Sequence, residues 1–324
     1  MFPFFDNIEF TVATAPGLGS FTPNAAVAGA RNLDQIPPNV IVSYRAEEGS
    51  AWEIGYGRYD GSTLARVSYM GTSTGDWIDF GAGVKVALTI PADNIQPHLG
   101  MGKFGMWSAV PGTSAGSTFG LAVPTALGST ASGTMGSGNF MARQHRVTFT
   151  SATTTNATAG MNFANTLVYR SATAFAGGFD FSTRFGPINV VADGRVQVGF
   201  APSALGSLNP SATLNMCAVG KDSTDTNLQI MYNDGSGLAT KVDTFIPWAN
   251  NNLYEVRIWQ NPGHAMISFS VRLVNTGQMY LHSAFTDLPV VDVGLVPQII
   301  AGLANTTGVA VVLAVSTVYL KSSF

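Results

Sequence analysis

Two stretches of this chain set aromatic side chains beside amides and a carboxylate. IPWANNNLYE places Trp248 ahead of Asn250 and Asn251, and MYNDGSG places Tyr232 ahead of Asn233 and Asp234. The apolar face of a sugar ring stacks on an aromatic ring, and amides or carboxylates bond its hydroxyls. Trp248, Asn250, Asn251, Tyr232, Asn233 and Asp234 are therefore the candidate carbohydrate contacts. The competing expectation is that Trp248 plugs one end of a hydrophobic core, where large aromatics commonly sit.

Other spacings with chemical meaning lack their context. Gly100, Gly102 and Gly105 form a G-x-G-x-x-G string, but no helix pattern follows to offer a phosphate its N-terminus. Gly112, Ser114 and Gly116 form G-x-S-x-G inside low-complexity sequence, not at a strand-to-helix elbow. The four histidines, His98, His145, His264 and His282, show no metal-ligand spacing. Only His264 and His282 could approach each other, on neighbouring strands, and a catalytic zinc wants three protein ligands. For a glycosidase pair, Asp222 and Asp225 share a loop, as do Asp234 and Asp243 more loosely, and nothing selects either. KDSTDTN lacks the glycine and distal glutamate of a calcium loop. The single cysteine, Cys217, lies in an apolar run and reads as a packed thiol. No catalytic residue, metal or cofactor is expected.

Charged residues are only 11% of the 324, and the formal net charge is −3. Sixteen basic residues without clustering argue against nucleic-acid binding, which relies on Lys and Arg to displace counterions. The start, MFPFFDNIEF, lacks the basic region of a signal peptide. The apolar run from Gly308 to Val315 is far too short to span a bilayer, so no membrane insertion is expected. A chain so poor in charge is expected to cover much of its surface with partners, most simply copies of itself.

The elements that must position these residues are strands. Val84, Val86, Leu88 and Ile90 alternate with Lys85, Ala87 and Thr89. Tyr254, Val256 and Ile258 alternate with Glu255 and Arg257, and Ala265, Ile267, Phe269, Val271 and Leu273 share one face. Period-two patterns of this kind are half-buried antiparallel strands. Turn signals at Glu48-Gly49 and Asp60-Gly61 punctuate a small meander over residues 8–92, while Asn233-Asp234-Gly235 and Asn275-Thr276-Gly277 punctuate the later part. In the meander, Trp52, Ile54 and Tyr56 are expected to face the core. Glu53, Gly55 and Gly57 would face outward, the glycines leaving room for another backbone. The last strand is apolar on both faces and should be central.

From Phe104 to Ala142 no residue is charged, and 25 of those 39 are Gly, Ala, Ser or Thr. Such a shift in composition reads as a linker or packed neck. The fold class is thus all-β: a small antiparallel N-terminal β domain at 1–100, a Gly/Ser/Thr-rich neck at 101–142, and a C-terminal β-sandwich of the jelly-roll kind at 143–324.

Some of these residues resemble a known family. VSYRAEEGSAWEIGYGRYDGSTLARVSYM and IDFGAGVKVALTIPA are similar to a module of bacteriophage virion proteins, through Trp52, Glu53, Gly55, Gly57 and Tyr59, then Leu64 and Arg66, then Phe80, Ala82, Gly83 and Lys85. LVYRSATAFAGGFDFSTRFG, NMCAVGKDSTDTNLQIMYNDGSG, LYEVRIWQNPG and VVLAVSTVYLKS resemble a concanavalin-like jelly roll of phage tail-fibre and head-fibre proteins. The resemblance covers about two thirds of the chain and carries no catalytic signature. It implies a virion location, a homotrimer, contact of the N-terminal domain with other virion proteins of tail or capsid, and a distal jelly roll that binds host-surface polysaccharide. It leaves open a decoration protein without receptor binding, and a polysaccharide depolymerase. The chain lacks a long repetitive shaft, which implies a short appendage.

Overall fold

The computed structural model describes residues 7–36, 38, 40–89, 103–164, 168–171, 177–261 and 265–322. The chain divides into two compact units, Met1–Gly100 and Met101–Phe324. No helix among the described residues is long and apolar enough to cross a membrane.

The first unit holds β1 (Glu9–Val12), β2 (Pro23–Ala26), β3 (Val40–Glu48), β4 (Ala51–Tyr59), β5 (Leu64–Thr72) and β6 (Lys85–Leu88). They form one antiparallel sheet in the order β2-β1-β6-β3-β4-β5. Gly49, at φ +60°, turns β3 into β4, and Asp60 caps the next turn by accepting from the Ser62 and Thr63 amides at 2.7 and 2.6 Å. Single bridges, Phe21 to Leu64 and Gly17 to Phe80, tie the segment after β1 to later parts of the unit. Phe10, Val12, Phe21, Tyr44, Tyr59, Leu64, Phe80 and Val86 fill the core.

β4 departs from the expected facing in part: Trp52 is 37% exposed and Glu53, Gly55 and Gly57 are buried, whereas Tyr56 is buried as expected, the register shifting between Ile54 and Gly55 and again between Tyr56 and Gly57. The glycines make room for neighbours in the same unit: a Cβ on Gly55 would meet Ser68 O and the Tyr44 ring, and one on Gly57 would meet Leu64. Glu53 tolerates burial because its carboxylate is fully partnered. Arg66 Nε donates to Oε1 at 3.0 Å, Arg66 also pairs with Oε2, the Ile78 amide donates at 3.2 Å, and Tyr44 donates at 2.5 Å. Arg66 spends its remaining donors on Gly17 O at 3.0 Å and Ile78 O at 2.9 Å, and its guanidinium lies against Phe21, Trp77 and Phe80. A buried charge is tolerable only when paired and hydrogen-bonded in this way.

The second unit comprises β7 (Lys103–Ala109), β8 (Gly116–Phe119), β9 (Thr125–Leu127), β10 (Ser129–Gly133), β11 (Arg146–Thr150), β12 (Thr158–Asn162), β13 (Phe179–Asn189), β14 (Arg195–Ala201), β15 (Cys217–Lys221), β16 (Asn227–Tyr232), β17 (Thr240–Pro247), β18 (Tyr254–Gln260), β19 (Ile267–Leu273), β20 (Met279–Ala284), β21 (Val296–Gly302) and β22 (Val312–Ser322). One sheet runs β10-β11-β22-β13-β18-β19-β20, with β7 on β22 and β8 on β7; the other runs β17-β16-β15-β14-β21-β12-β9. Every pairing is antiparallel. The alternate residues read from the sequence meet between the sheets: Phe181, Phe185, Val256, Ile258, Phe269, Leu313 and Val315 from one, Val196, Val198, Phe200, Val219, Ile230 and Ile299 from the other. The protein is all-β, a small antiparallel sheet followed by a two-sheet sandwich.

The closing strand β22 is central, flanked by β13 on one side and by β11 and β7 on the other. Its second face is covered as well, since Ala314 packs with Met141 and Leu253.

The segment 101–142 is not a neck. Its described residues supply β7, β8, β9 and β10 to the two sheets. β7 pairs with β22 from Thr317–Ser108 to Ser322–Lys103, and Trp107 enters the sandwich core. Gly116, on the adjacent strand, leaves the space that the Trp107 indole fills. Small uncharged residues suggested a linker by composition, but period-two spacing of Gly105, Trp107 and Ala109 against Phe104 and Met106 makes this a strand.

Candidate functional site

The two sugar-contact candidates lie at opposite ends of β16. The Trp248 amide donates to Thr226 O at 3.2 Å just before that strand, and Asn233 follows its last residue. Seven residues of extended chain separate them, roughly 20 Å. They cannot form one site.

At the first end Trp248 is a core residue, 8% exposed. Its ring stacks on Tyr254 with centroids 5.2 Å apart and an interplanar angle of 22°, and lies 6.1 Å from Phe185. Tyr254 holds the following loop: its hydroxyl donates to Pro247 O at 2.5 Å and accepts from the Ala249 amide at 3.0 Å and Asn252 Nδ2 at 3.2 Å. Asn250 Oδ1 is taken by the Val190 amide at 2.6 Å. Asn251 is exposed at φ +63°, a left-handed turn position that suits asparagine. This end is a packed plug in which Trp248 is buried and Asn250 is committed to the Val190 amide, so Trp248 does not offer a face to a sugar.

The second end has a different character. Three loops from distant parts of the sequence meet there through polar side chains. Asn233, fully buried, accepts from the Asn215 amide at 3.1 Å and the Gly235 amide at 2.6 Å, and donates to Ser236 O at 2.9 Å. Asp287 accepts from the Asp234 amide at 3.2 Å with one oxygen, and from the Thr240 hydroxyl at 2.5 Å and amide at 3.2 Å with the other. Asn215 Oδ1 accepts from the Val290 amide at 3.0 Å. Asp234 itself is exposed, and its Oδ1 holds an Asx turn through the Ser236 amide at 3.0 Å. On the same loops Leu214, Leu238, Phe285 and Val290 are exposed. The floor is Tyr232, whose ring stacks on His282 at 5.7 Å and 16°. Tyr232 Oη lies 3.3 Å from His282 Nε2. Burial holds the His282 imidazole below its ordinary pKa, and burial followed by the nearby Asp287 charge holds the Tyr232 phenol above its own. Both are neutral at pH 7. A polar, rigidly bonded loop set with apolar side chains around it is the composition of a small-ligand site.

Of the six candidates, Asn233, Asp234 and Tyr232 belong to this second end. Asn233 and Tyr232 support it from below, and Asp234 is the one that reaches solvent. Asn215 and Asp287 are not singled out by the sequence, and His282 enters there only with His264 as a zinc pair. Asn215 and Asp287 have positive φ, +53° and +56°, and the only local hint is an Asn or Asp at a turn.

The acidic pairs are bound up structurally. Lys241 bridges Asp222 at 2.9 Å and Asp225 at 2.6 Å, Asp222 also accepts from the Ser211 amide at 3.0 Å, and Asp225 accepts from the Asp222 amide at 2.9 Å. Asp243 accepts from Asn227 Nδ2 at 3.1 Å. Lys221, buried, donates to Gly194 O at 2.5 Å and Asp222 O at 2.9 Å. Among the described residues no group of three or more His, Cys, Asp or Glu could hold a metal ion. His98 and His264 lie outside the described residues. Cys217 is fully buried, and desolvation pushes its thiol far above the ordinary range. Gly105 is a strand residue of β7, and Gly112 to Gly116 turn β7 into β8.

No family model matches the sequence, and no curated protein matches it. Among solved structures, the chain is similar to a protein of unknown function from Shewanella oneidensis MR-1, with 12% identity, 73% of this chain and 95% of that one covered, and a TM-score of 0.47. It is similar to arcelin-5, a lectin-like defence protein from Phaseolus vulgaris, with 9% identity, coverage of 69% and 100%, and a TM-score of 0.45. Peanut lectin gives 14% identity, coverage of 60% and 97%, and a TM-score of 0.39.

Proposed function

We propose that this chain is a structural component of a bacteriophage particle, a short homotrimeric tail or head appendage whose sandwich binds a host-surface carbohydrate and performs no catalysis. The observation that carries the binding part is the convergence of Asn215, Asn233, Asp234 and Asp287 at one end of the sandwich, among exposed Leu214, Leu238 and Phe285. Loops at a sandwich end are free to vary in chemistry, because the strand faces are occupied by the core. Asp234, which reaches solvent, would bond sugar hydroxyls, and the apolar side chains would contact ring C–H faces. One such site binds weakly. Three copies on one appendage, and many appendages on a particle, turn weak contacts into firm adhesion. The virion part is supported by the sequence resemblance of the first unit, among whose motif residues Glu53, Arg66 and Phe80 meet in one buried cluster.

The test is binding of the full chain to polysaccharide purified from the host surface. Asp234→Ala and Asp287→Asn should each weaken binding about tenfold or more, the loss of a charge-assisted hydrogen bond. Asn250→Ala at the opposite end should leave it unchanged. No binding by the unaltered chain, or equal binding by the Asp234 and Asp287 variants, overturns the reading.

A further inference from the structure

We propose that the uncharged edge of the sandwich, formed by β8, β9 and β10 with Phe104, Met106 and Phe119, is the surface through which copies of this chain pack together; this rests on the assembly part of the reading above and names where the contact lies. Three observations meet there. Among the described residues β8 pairs only with β7, β9 only with β12 and β10 only with β11, so both sheets end on this segment in strands with one open side. Open strand edges pair readily with other chains, and proteins that must stay single blunt them with charge. Here the blunting is missing: no residue from Phe104 to Ala142 is charged, while β17, at the far edge of the seven-stranded sheet, carries Lys241 and Asp243.

The second observation is apolar exposure. β7 sends Trp107 and Ala109 into the core, so Phe104 and Met106 face out, and Phe119 of β8 lies beside them with its ring 5.5 Å from that of Phe104. Phe119 is 62% exposed. Val123 and Met135 on the same segment are exposed too, while Phe140 lies under the Arg143 guanidinium. The exposed cluster of Phe104, Met106 and Phe119 marks a contact with another macromolecule.

The third observation selects the occupant. Beyond the Gly133 end of β10, where Arg146 lies, the residues of β8 and the Phe104, Met106 and Phe119 cluster are uncharged, so a partner that brought charge to them would bury it without a counter-charge of theirs, which is costly. The uncharged segment of a second copy meets the face without that cost. Its 25 small residues among 39 let backbones approach closely enough for edge strands to hydrogen-bond. Small uncharged residues, open edges and exposed aromatics therefore serve one contact.

The experiment is light scattering on the full chain at micromolar concentration. The unaltered chain should give about three times the chain mass. Phe119→Lys and, separately, Thr130→Lys on β10 should reduce it to a single chain mass while keeping the β-sheet circular dichroism, since both positions are exposed. Leu238→Lys, exposed on a different loop, should stay at the unaltered mass. A single chain mass for the unaltered protein overturns this inference and the assembly reading together. A threefold mass that persists in both Phe119→Lys and Thr130→Lys, or that Leu238→Lys abolishes as well, overturns the surface and leaves the assembly reading standing.

Discussion

Arg66 grips Glu53 in a forked pair inside the first unit, with both side chains almost wholly removed from solvent. The arginine also reaches Gly17 O and Ile78 O, so one side chain fastens β5 to β4 and to two loops. Removing one member of a buried pair leaves the other charged and unmatched, at a cost of about 3–5 kcal/mol. Arg66→Met should therefore lower or abolish the melting transition of the first unit. Arg66→Lys keeps the charge but cannot reproduce the fork, and should fall between. The sandwich, a separate compact unit, should melt unchanged. Calorimetry reads both transitions; an unaltered first transition in Arg66→Met would show that the pair contributes nothing.

Trp248→Ala should act on stability. The indole is buried against Tyr254 and Phe185, and such truncations cost about 3–5 kcal/mol. The melting temperature of the sandwich should fall clearly, and sugar binding per folded molecule should stay the same. A normal melting temperature with lost binding would return Trp248 to the list of ligand contacts.

The strands were legible because their alternation is a local property. Tyr254, Val256 and Ile258 face the core as the pattern requires, and β22 is central because both its faces are apolar. Where polar or small residues replaced hydrophobic ones inside, the pattern inverted. Glu53 looked like a solvent residue and Trp52 like a core residue, because the partner that neutralises Glu53, Arg66, is 13 residues away and its match is visible only in three dimensions. The uncharged segment misled for a similar reason: glycine, serine and threonine carry little hydrophobic signal, yet their backbones pair in sheets. The candidate site was half legible. Asn233 and Asp234 advertise a turn, but Asp287 and Asn215 reach the same place from separate loops and no spacing links them.

The sandwich should lose stability on mild acidification through His282. Burial depresses its pKa in the folded state, so the native protein keeps it neutral while the unfolded chain takes up a proton near pH 6.5. The unfolded state then binds more protons, and stability falls as pH drops below about 6.5, until the folded imidazole titrates too. The melting temperature should be lower at pH 5.5 than at 7.5, and His282→Gln should flatten that difference. An identical slope in the variant would assign the effect elsewhere.

The central claim is that this chain stands on a phage particle. Purified particles of a phage whose genome is found to carry this sequence, imaged by electron microscopy with the chain labelled at its C-terminal unit, test that proposal most directly. The account predicts label at regularly placed short projections on the tail or head, removed when the chain is deleted. Particles complete in every projection but free of the label, or a chain recovered only outside the particle, would contradict it.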